Sequence, residues 1–393
     1  MIRLSLPAAL AAALLPAAGP ASADDAKAAA PQPKKKIVLI AGKKSHGPVG
    51  NGQHDYGWSV LLLKAVLESS NVADRVRVDA HLDGWPADPK AVEDADTIMI
   101  VSDGRDGDKY SEALHVENDE RVALVDRLAK RGCGIVTFHF STFAPQRHAD
   151  KVLDWTGGYF QWETDGKRKW YSAIRHLKGD VKVAAAEHPV ARGLPAGFPF
   201  ADEFYYRIRF RGNDSRLTPI LQVPALGGTP LEHTVAWAVQ RADGGRGFGT
   251  TAGHGFAGWA DDHFRRLICN ALVWTAGLDV PAGGVESRHF GRDEIRRLVG
   301  APPGDPGAAP QPKAAPRGDA GPLRVPMLAG GVHSVAHRTA PTARNRRTSR
   351  ESTIAVPSNE MLPGTITPHP VVPTDAASAT AHASRVTAAM GDR

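Results

Sequence analysis

The sequence predicts an α/β fold in which a mainly parallel sheet is covered by helices on both faces. Three observations lead to this prediction: strands and helices alternate along the first half of the chain, the strands are short apolar runs, and histidines follow several of them. Alternation of this kind requires right-handed crossovers between parallel strands. The helices of those crossovers must then cover the sheet.

The first elements are the clearest. An apolar run, Ile37 to Ala41, leads directly into a glycine-rich loop, and the helix after it has apolar residues at helical spacing. Further strands and one further helix follow in alternation. The predicted strands are 37–41, 75–80, 97–102 and 134–138, and the predicted helices are 58–68 and 118–130.

Beyond Phe160 the strands become shorter, and an amphipathic helix closes the domain. In the segment DEFYYRIRF, the two-residue period of a strand places Glu203 and Tyr205 on one face and Asp202 and Phe204 on the other. One of the two acidic side chains must therefore face away from the other. The predicted strands are 203–210, 217–223, 234–239 and 247–251, and the predicted helix is 261–275.

Residues 1–23 have the features of a secretory signal peptide. A basic residue, Arg3, precedes an apolar alanine and leucine segment, and residues 21–23 form an A-x-A cleavage signal. A membrane anchor is the alternative, but proline and glycine interrupt a run shorter than the roughly 20 residues needed to span a bilayer. The mature protein is therefore expected to be periplasmic or secreted, without a membrane span.

Residues 301–393 differ from the rest in composition, with abundant Pro, Ala, Thr, Gly and Arg and almost no aromatic residues. Such a segment buries too little apolar surface to offset its chain entropy, so we predict a disordered tail. Its ten basic and six acidic residues carry four of the six net positive charges of the chain. The remaining body is nearly neutral, which argues against nucleic acid as a partner.

Histidines recur where strands end. His46 and His54 lie in the loop after the first strand, His139 follows the strand 134–138, and His254 follows the strand near 250. In open α/β sheets the chemistry takes place beyond the carboxyl ends of the strands. With Glu203, these imidazoles form a ligand set for zinc or a similar divalent ion, or an acid–base site. Their spacing is not a metal motif, so for each one the alternative is a loop residue bonded to backbone.

Short motifs across the domain carry a family resemblance. They are GKKSHGP with HDY, HLDGWP, the strand end at His139, DEFYYRIRF, GRGFGTTAGH and NALVWTAG. In this order they resemble the ThuA-like, or trehalose-utilisation, family over about residues 35–287. The resemblance implies the flavodoxin-like fold of the class I glutamine amidotransferase-like superfamily. It also implies the utilisation of trehalose or a related disaccharide.

Glutamine hydrolysis is not expected, despite the amidotransferase relation. Those enzymes place a cysteine on the tight turn after a strand, where this chain has His139 and Ser141. Cys133 lies at the other end of the same strand, too far away at about 3.3 Å per residue. An amide hydrolase that uses Ser141 as its nucleophile is a third interpretation, although no G-x-S-x-G frame surrounds this serine. Cys133 and Cys269 are predicted to be two buried thiols, although one disulfide is the alternative.

Polar and aromatic residues near the same edge fit a sugar pocket. Asp103 and Arg105 follow a parallel strand and can bind hydroxyl groups through a carboxylate and a guanidinium. Asp55, Trp85 and Tyr205 are further candidates for substrate binding, and aromatic rings offer flat apolar faces to a sugar. The alternatives are an exposed polar turn for the charged residues and core packing for the aromatic ones.

The sequence therefore predicts an exported protein that acts on a disaccharide or a 3-keto-glycoside by hydrolysis or elimination next to a carbonyl. His139 or His254 would be the base, Glu203 would be the catalytic carboxylate, and a divalent ion would polarise the oxygen. The alternative is a non-catalytic sugar-binding module, which would tolerate loss of the histidines. The predicted metal ligands are His46, His54, His139 and His254.

Overall fold

A computed structural model describes residues 33–43, 51–104 and 113–300, which all belong to one unit of the chain. The predictions of a signal peptide at 1–23 and a disordered tail at 301–393 fall outside the described residues, as do His46 and Arg105. Within the described ranges, no helix is long and apolar enough to cross a bilayer.

The described chain contains strands of very different length and six α-helices. The strands are β1 (Lys35–Ala41), β2 (Val76–His81), β3 (Thr97–Val101), β4 (Gly134–Phe138), β5 (Gly158–Tyr159), β6 (Glu163–Thr164), β7 (Lys167–Arg168), β8 (Ala173–Val183), β9 (Gly197–Tyr206), β10 (Arg209–Phe210), β11 (Leu217–Gln222), β12 (Thr234–Gln240) and β13 (Arg246–Thr250). The helices are α1 (Tyr56–Glu68), α2 (Lys90–Glu93), α3 (Asp119–Lys130), α4 (Ala149–Thr156), α5 (Asp262–Thr275) and α6 (Arg292–Val299).

Five strands form the parallel part of a nine-stranded sheet. β1 pairs in parallel with β2 and β3, and β4 pairs in parallel with β3 and β13. The order β2-β1-β3-β4-β13 is the 2-1-3-4-5 order of the flavodoxin-like fold, so the predicted fold class is confirmed. The strand order reverses between β1 and β3, and ligands of such sheets bind at the carboxyl ends near that point.

Antiparallel strands extend this sheet beyond β13 in the order β12, β11, β8 and β9. Strand β8 was not predicted from the sequence, because its residues, AIRHLKGDVKV, are mostly polar and much of the strand is exposed. The strand predicted over 203–210 is divided at Arg207, whose φ of 54° interrupts the extended backbone. Beyond that residue, β10 pairs with β5 instead.

Helices cover both faces of the parallel strands, as the two-residue period of β1 requires. Ile37 and Leu39 pack into a core shared with α1 and α5, whereas Val38 and Ile40 pack on the opposite side with α3 and α4. All four side chains are fully buried. The sheet therefore has no solvated face here, and its open edge is the row of loops at the strand ends.

The folded unit continues past the predicted domain end at Ser287. The last helix, α6, packs against α1, and its Ile295 is fully buried in the core that also contains α1. A second contact joins Arg292 of α6 to Asp55, which precedes α1. The C-terminal helix is thus part of the domain.

Both cysteines are free and buried, as predicted. Burial raises the pKa of each thiol to about 12, so neither is a thiolate near neutral pH. Cys133 precedes β4, whereas His139 follows it. The thiol is therefore at the opposite end of the sheet from the loops that carry the histidines.

Candidate metal centre

Three histidines and one glutamate converge at the carboxyl edge of the parallel strands. The ligand atoms of His54, His139, Glu203 and His254 all lie within 4.8 Å of one another. His54 and His139 are buried, and the other two are partly buried. The structure thus brings together four of the five residues predicted to share a site. The fifth, His46, lies outside the described residues.

Each ligand loop reaches this edge from a different strand. His139 directly follows β4, and His254 lies shortly after β13. The loop with His54 connects β1 to α1 and pairs with the loop of His254 through an antiparallel bridge between Gln53 and Gly255. The backbone N–H of His54 also donates to the carbonyl oxygen of His254 at 2.9 Å. This pairing places the first and last loops of the parallel sheet side by side.

The backbone is strained at two of the ligands. His54 has a φ of 47° and His139 a φ of 50°, in the left-handed region that residues other than glycine rarely adopt. Close packing also restricts the loop before His254: a Cβ on Gly253 would lie 2.1 Å from the ring of Phe138. Strain of this kind persists only where surrounding contacts hold it, and it is common at functional sites.

Four of the six distances between the ligand atoms are close to those expected around one small ion. His254 Nδ1 lies 3.0 Å from His54 Nε2 and 3.3 Å from His139 Nε2. Glu203 Oε2 lies 3.1 Å from His254 Nδ1 and 3.4 Å from His139 Nε2. Bonds of about 2.0–2.1 Å to a tetrahedral ion separate its ligands by roughly 3.3–3.4 Å. The spacing therefore fits a small divalent ion such as zinc.

Hydrogen bonds behind two of the imidazoles determine which nitrogen faces the centre. His139 Nδ1 lies 2.7 Å from the carbonyl oxygen of Thr251, which can only accept, so in the neutral ring Nε2 is the unprotonated atom. Tyr56 donates its hydroxyl proton to Asp103 at 2.5 Å and accepts a bond from His54 Nδ1 at 2.6 Å. His54 Nε2 is therefore also unprotonated. Supporting acceptors of this kind are typical of metal-binding histidines.

Glu203 supplies the negative charge. Burial opposes its ionisation, but hydrogen bonds and charges from His139 and His254 outweigh this effect and lower the pKa of the Glu203 carboxyl. Its second oxygen, Oε1, lies 2.9 Å from Nε2 of His176 on β8. The carboxylate is thus held from two sides and is ionised near neutral pH.

Asp202 contacts the backbone of the loop that carries His254. Its carboxylate accepts bonds from the backbone N–H groups of Gly253 at 2.6 Å and His254 at 3.2 Å. Burial raises the pKa of the Asp202 carboxyl. This side chain fixes the loop of His254 through its backbone, while Glu203 reaches the imidazole itself.

Tyr205, a predicted substrate-binding residue, is buried against the centre. Its hydroxyl lies 2.8 Å from His139 Nε2, and its ring stacks on that imidazole with centroids 4.5 Å apart. Burial is the main cause that raises the pKa of Tyr205 well above its usual value. Phe143 and Phe160 pack against the ring of Tyr205. Tyr205 therefore presents a neutral hydroxyl to the centre from within a rigid aromatic cluster.

The two aspartates predicted to bind substrate have other partners. Asp103 is 4% exposed and supports His54 through Tyr56, so it does not lie in an exposed turn. Asp55 forms an ion pair with Arg292 at 2.7 Å. Both carboxylates stabilise the loop around His54 from behind.

Trp85 does not belong to the cluster of ligands. Its indole N–H donates to the carbonyl oxygen of Leu114 at 2.9 Å, and the guanidinium of Arg121 lies 4.3 Å from its ring centroid. It lines a different cavity, of about 470 Å³, together with Lys43 and Asp83. Its neighbour in the predicted sugar pocket, Arg105, lies outside the described residues.

Sequence reasoning missed two residues that contact the centre, Tyr56 and His176. Tyr56 belongs to the HDY motif, so its position two residues after His54 was an available signal. His176 lies opposite Glu203 in the register of β8 and β9. No local pattern indicates this pairing, because the two residues come from different strands.

A cavity of about 450 Å³ opens beside the centre. This volume is within the range of small-molecule sites. Its wall combines polar residues, which include two of the converging ligands, with apolar residues. The polar lining residues include His176, Glu203 and His254, and the apolar ones include Leu177, Ala201 and Ala257.

Ser141 has a structural role in the turn after β4. Its hydroxyl oxygen accepts a bond from the backbone N–H of Phe138 at 2.7 Å and lies 2.9 Å from the carbonyl oxygen of Ile100. Among the described residues, no imidazole is hydrogen-bonded to it. A serine without an adjacent base is not activated as a nucleophile. This geometry removes the support for an amide hydrolase based on Ser141.

Comparison with known proteins gives one family match. A family model described as ThuA, trehalose utilisation, matches residues 50–275, a range that contains all four converging ligands. A ThuA-like protein from Bacteroides uniformis has 16% identity and a TM-score of 0.46, over 63% of this chain and 93% of that chain. A ThuA-like protein from Parabacteroides merdae has 18% identity and a TM-score of 0.44, over 65% and 98%. No curated protein matches significantly.

Proposed function

Because the chain belongs to the ThuA, or trehalose-utilisation, family, we propose that it is an exported protein that processes a carbohydrate at a metal centre. The proposed substrate class is a disaccharide or a 3-keto-glycoside, and the reaction is hydrolysis or elimination next to a carbonyl. One observation carries the proposal: three imidazole nitrogens and one carboxylate oxygen face a common point.

The donor set fits a divalent ion. Imidazole nitrogen suits zinc and similar ions, and a carboxylate adds the negative charge that balances part of the ion's charge. When bound, such an ion would act as a Lewis acid on a carbonyl or hydroxyl oxygen of the sugar. The ligands would be His54 Nε2, His139 Nε2, His254 Nδ1 and Glu203 Oε2.

The geometry favours ligand roles for His139 and His254 over the base roles expected from the sequence. His139 Nε2 and His254 Nδ1 both face the other ligands, 3.3 Å from each other. Because Nδ1 of His139 is occupied by a backbone carbonyl, that ring has no second nitrogen for a substrate. The hydroxyl of Tyr205 is the neutral proton donor nearest to His139 Nε2, at 2.8 Å.

The adjoining cavity supports a carbohydrate as the ligand. Sugars present hydroxyl groups at their rims and apolar C–H groups on their faces. The cavity is lined by polar residues, among them His176 and Glu203, and by apolar residues, among them Leu177 and Ala257. A ring of this kind would therefore meet polar and apolar contacts together, directly beside the metal ligands.

The experiment combines metal analysis of the purified full-length protein with a panel of disaccharides and their 3-keto forms. We expect about one divalent ion per chain and turnover of at least one compound. The variants Glu203→Gln and His254→Ala should lose both the bound ion and the turnover, because each substitution removes a metal ligand. The matched control is His263→Gln, a histidine on α5 that packs against Phe198 away from the cluster.

A different result would favour the sugar-binding module. In that case the purified protein would hold no metal, the ligand variants would bind sugar as well as the wild type, and Trp85→Ala would abolish binding. That combination would reject the metal-dependent reaction.

A further inference from the structure

Arg292, in the first turn of α6, contacts two of the three loops that carry histidine ligands at the parallel edge. Its Nη2 lies 2.7 Å from Oδ2 of Asp55, the residue directly after His54. Its guanidinium carbon lies 5.1 Å from the ring centroid of Phe256, two residues after His254. A guanidinium can pair with a carboxylate in its plane and stack on aromatic rings with its face. One side chain of α6 thus touches both loops.

The same two loops are paired with each other at this point. The N–H of Phe256 donates to the carbonyl oxygen of Gly52 at 2.6 Å, and the N–H of His54 donates to that of His254 at 2.9 Å. Arg292 contacts Asp55 in one loop and Phe256 in the other, directly at this pairing. A displacement of one loop would therefore move the other, and with it the second imidazole.

α6 has its own attachment to the domain. Ile295 is fully buried in the main core, and the guanidinium carbons of Arg292 and Arg296 lie 5.0 and 4.7 Å from the ring of Trp58 in α1. The Asp55 side chain is only 3% exposed, and a buried carboxylate is stable when it is paired. The ion pair therefore connects a fixed helix to the loop of His54.

We propose that α6 is a clamp on the metal centre and that Arg292 is its positioning residue. Through Asp55 and Phe256 it fixes the relative positions of His54 and His254, whose facing nitrogens lie 3.0 Å apart. His54 has a φ of 47°, a conformation that depends on external contacts. The inference rests on the metal centre proposed above. It assigns a role to a helix that lies beyond the matched residues 50–275.

The test measures the Zn²⁺ affinity of the full-length protein by competition with a chromogenic chelator. It also records the visible spectrum of the Co²⁺-substituted protein, which reports the coordination geometry. For Arg292→Ala we expect a loss of Zn²⁺ affinity of about 10- to 100-fold, as for other partners that orient metal ligands, and an altered Co²⁺ spectrum. Arg292→Lys should lose less Zn²⁺ affinity than Arg292→Ala, because lysine keeps the positive charge. Some affinity should still be lost, because lysine lacks the planar guanidinium.

Arg297→Ala is the matched control, because Arg297 is an exposed arginine on the same helix. It should bind Zn²⁺ like the wild type. The double variant Asp55→Asn/Arg292→Ala removes the buried charge that the single variant leaves behind. Its metal-free stability in urea should recover, while its Zn²⁺ affinity stays low because the loops are no longer held.

Two results would overturn the clamp. One is wild-type Zn²⁺ affinity and an unchanged Co²⁺ spectrum in Arg292→Ala. The other is recovery of Zn²⁺ affinity together with stability in the double variant, which would show that Arg292 only neutralises Asp55. A wild-type protein that binds neither ion would instead overturn the metal centre, and the clamp with it.

Discussion

The two ends of β4 lie in opposite environments. At the amino end, buried carbonyl groups face a donor: a terminal nitrogen of Arg241 donates to the carbonyl oxygens of Ala129 and Cys133, both at 2.8 Å. At the carboxyl end, His139 directs an unprotonated nitrogen toward the ligand atoms of His254 and Glu203. At the amino end of β4 a donor faces acceptors, whereas at the carboxyl end several acceptors face one another.

This difference separates structural from functional polar groups. A matched donor and acceptor are satisfied when buried, but several lone pairs that face one another require a cation or added protons. Backbone conformation follows the same division. Gly132, before the amino end of β4, has a φ of 96°, which glycine adopts without strain, whereas the strained residue at the carboxyl end is His139 itself.

The largest effect is expected from His139→Ala, which removes one ligand. Zn²⁺ at about 1,000 times its dissociation constant should stabilise the wild type by about 4.1 kcal/mol, and the variant should lose this stabilisation. Urea unfolding with and without Zn²⁺ measures it, with His263→Gln as the control. Full Zn²⁺-dependent stabilisation of His139→Ala would contradict the view that acceptors gather there to hold an ion.

Arg241→Ala tests the other end of β4. The arginine is 4% exposed, and its loss leaves two buried carbonyl oxygens and Asp243 without these bonds. We expect the free energy of unfolding of the metal-free protein to fall by about 2–4 kcal/mol, with Zn²⁺ affinity unchanged. A weaker Zn²⁺ affinity at unchanged stability would mean that the two ends are not separable.

Tyr56→Phe tests the support behind His54. The change removes the hydroxyl that links His54 to Asp103 and keeps the ring. Zn²⁺ affinity should fall about 10- to 100-fold in a chelator competition. Tyr171→Phe is the control, because Tyr171 stacks with Arg209 on another part of the domain. Equal affinities of the two variants would show that this support is not needed.

His115 provides a comparison with the clustered histidines, because it is fully buried and neither ring nitrogen has a hydrogen-bond partner among the described residues. Burial lowers the pKa of His115 to about 4. The unfolded chain therefore binds more protons between about pH 6.5 and pH 4, so stability from this group is complete above that window and is lost as pH falls through it.

Between pH 7 and pH 5.5 the contribution of His115 should fall by about 1 kcal/mol. Urea unfolding at both values, compared with the variant His115→Gln, isolates the effect, since the variant lacks the titrating group. Parallel pH dependence in the wild type and the variant would show that burial of His115 has no such effect.

The smallest effect is expected from deletion of residues 301–393. The composition of this segment predicts disorder, so its removal should leave the melting temperature and Zn²⁺ affinity unchanged. A clear fall in either quantity would show that the tail contributes to the domain or to the centre.

The parallel strands were predictable because burial on both faces produces short apolar runs that are visible locally. Strand β8 was not, because it is largely exposed, carries charged residues and resembles a loop. The same limit applies to the site. His139 and His254 were found from their places after strands, but the bond that Tyr56 makes with Asp103 depends on two strands being neighbours.

The sequence by itself determined which residues form the parallel strands and that histidines follow several of them, because strand period and burial act over a few residues. Only the tertiary structure decided how Glu203, which was also predicted for this site, reaches those histidines. β9 is the last strand of the sheet order, yet its end reaches the loop after β13, where the hydroxyl of Thr251 donates to the carbonyl oxygen of Tyr205 at 2.8 Å. That approach depends on the packing of the whole domain, and no short segment encodes it.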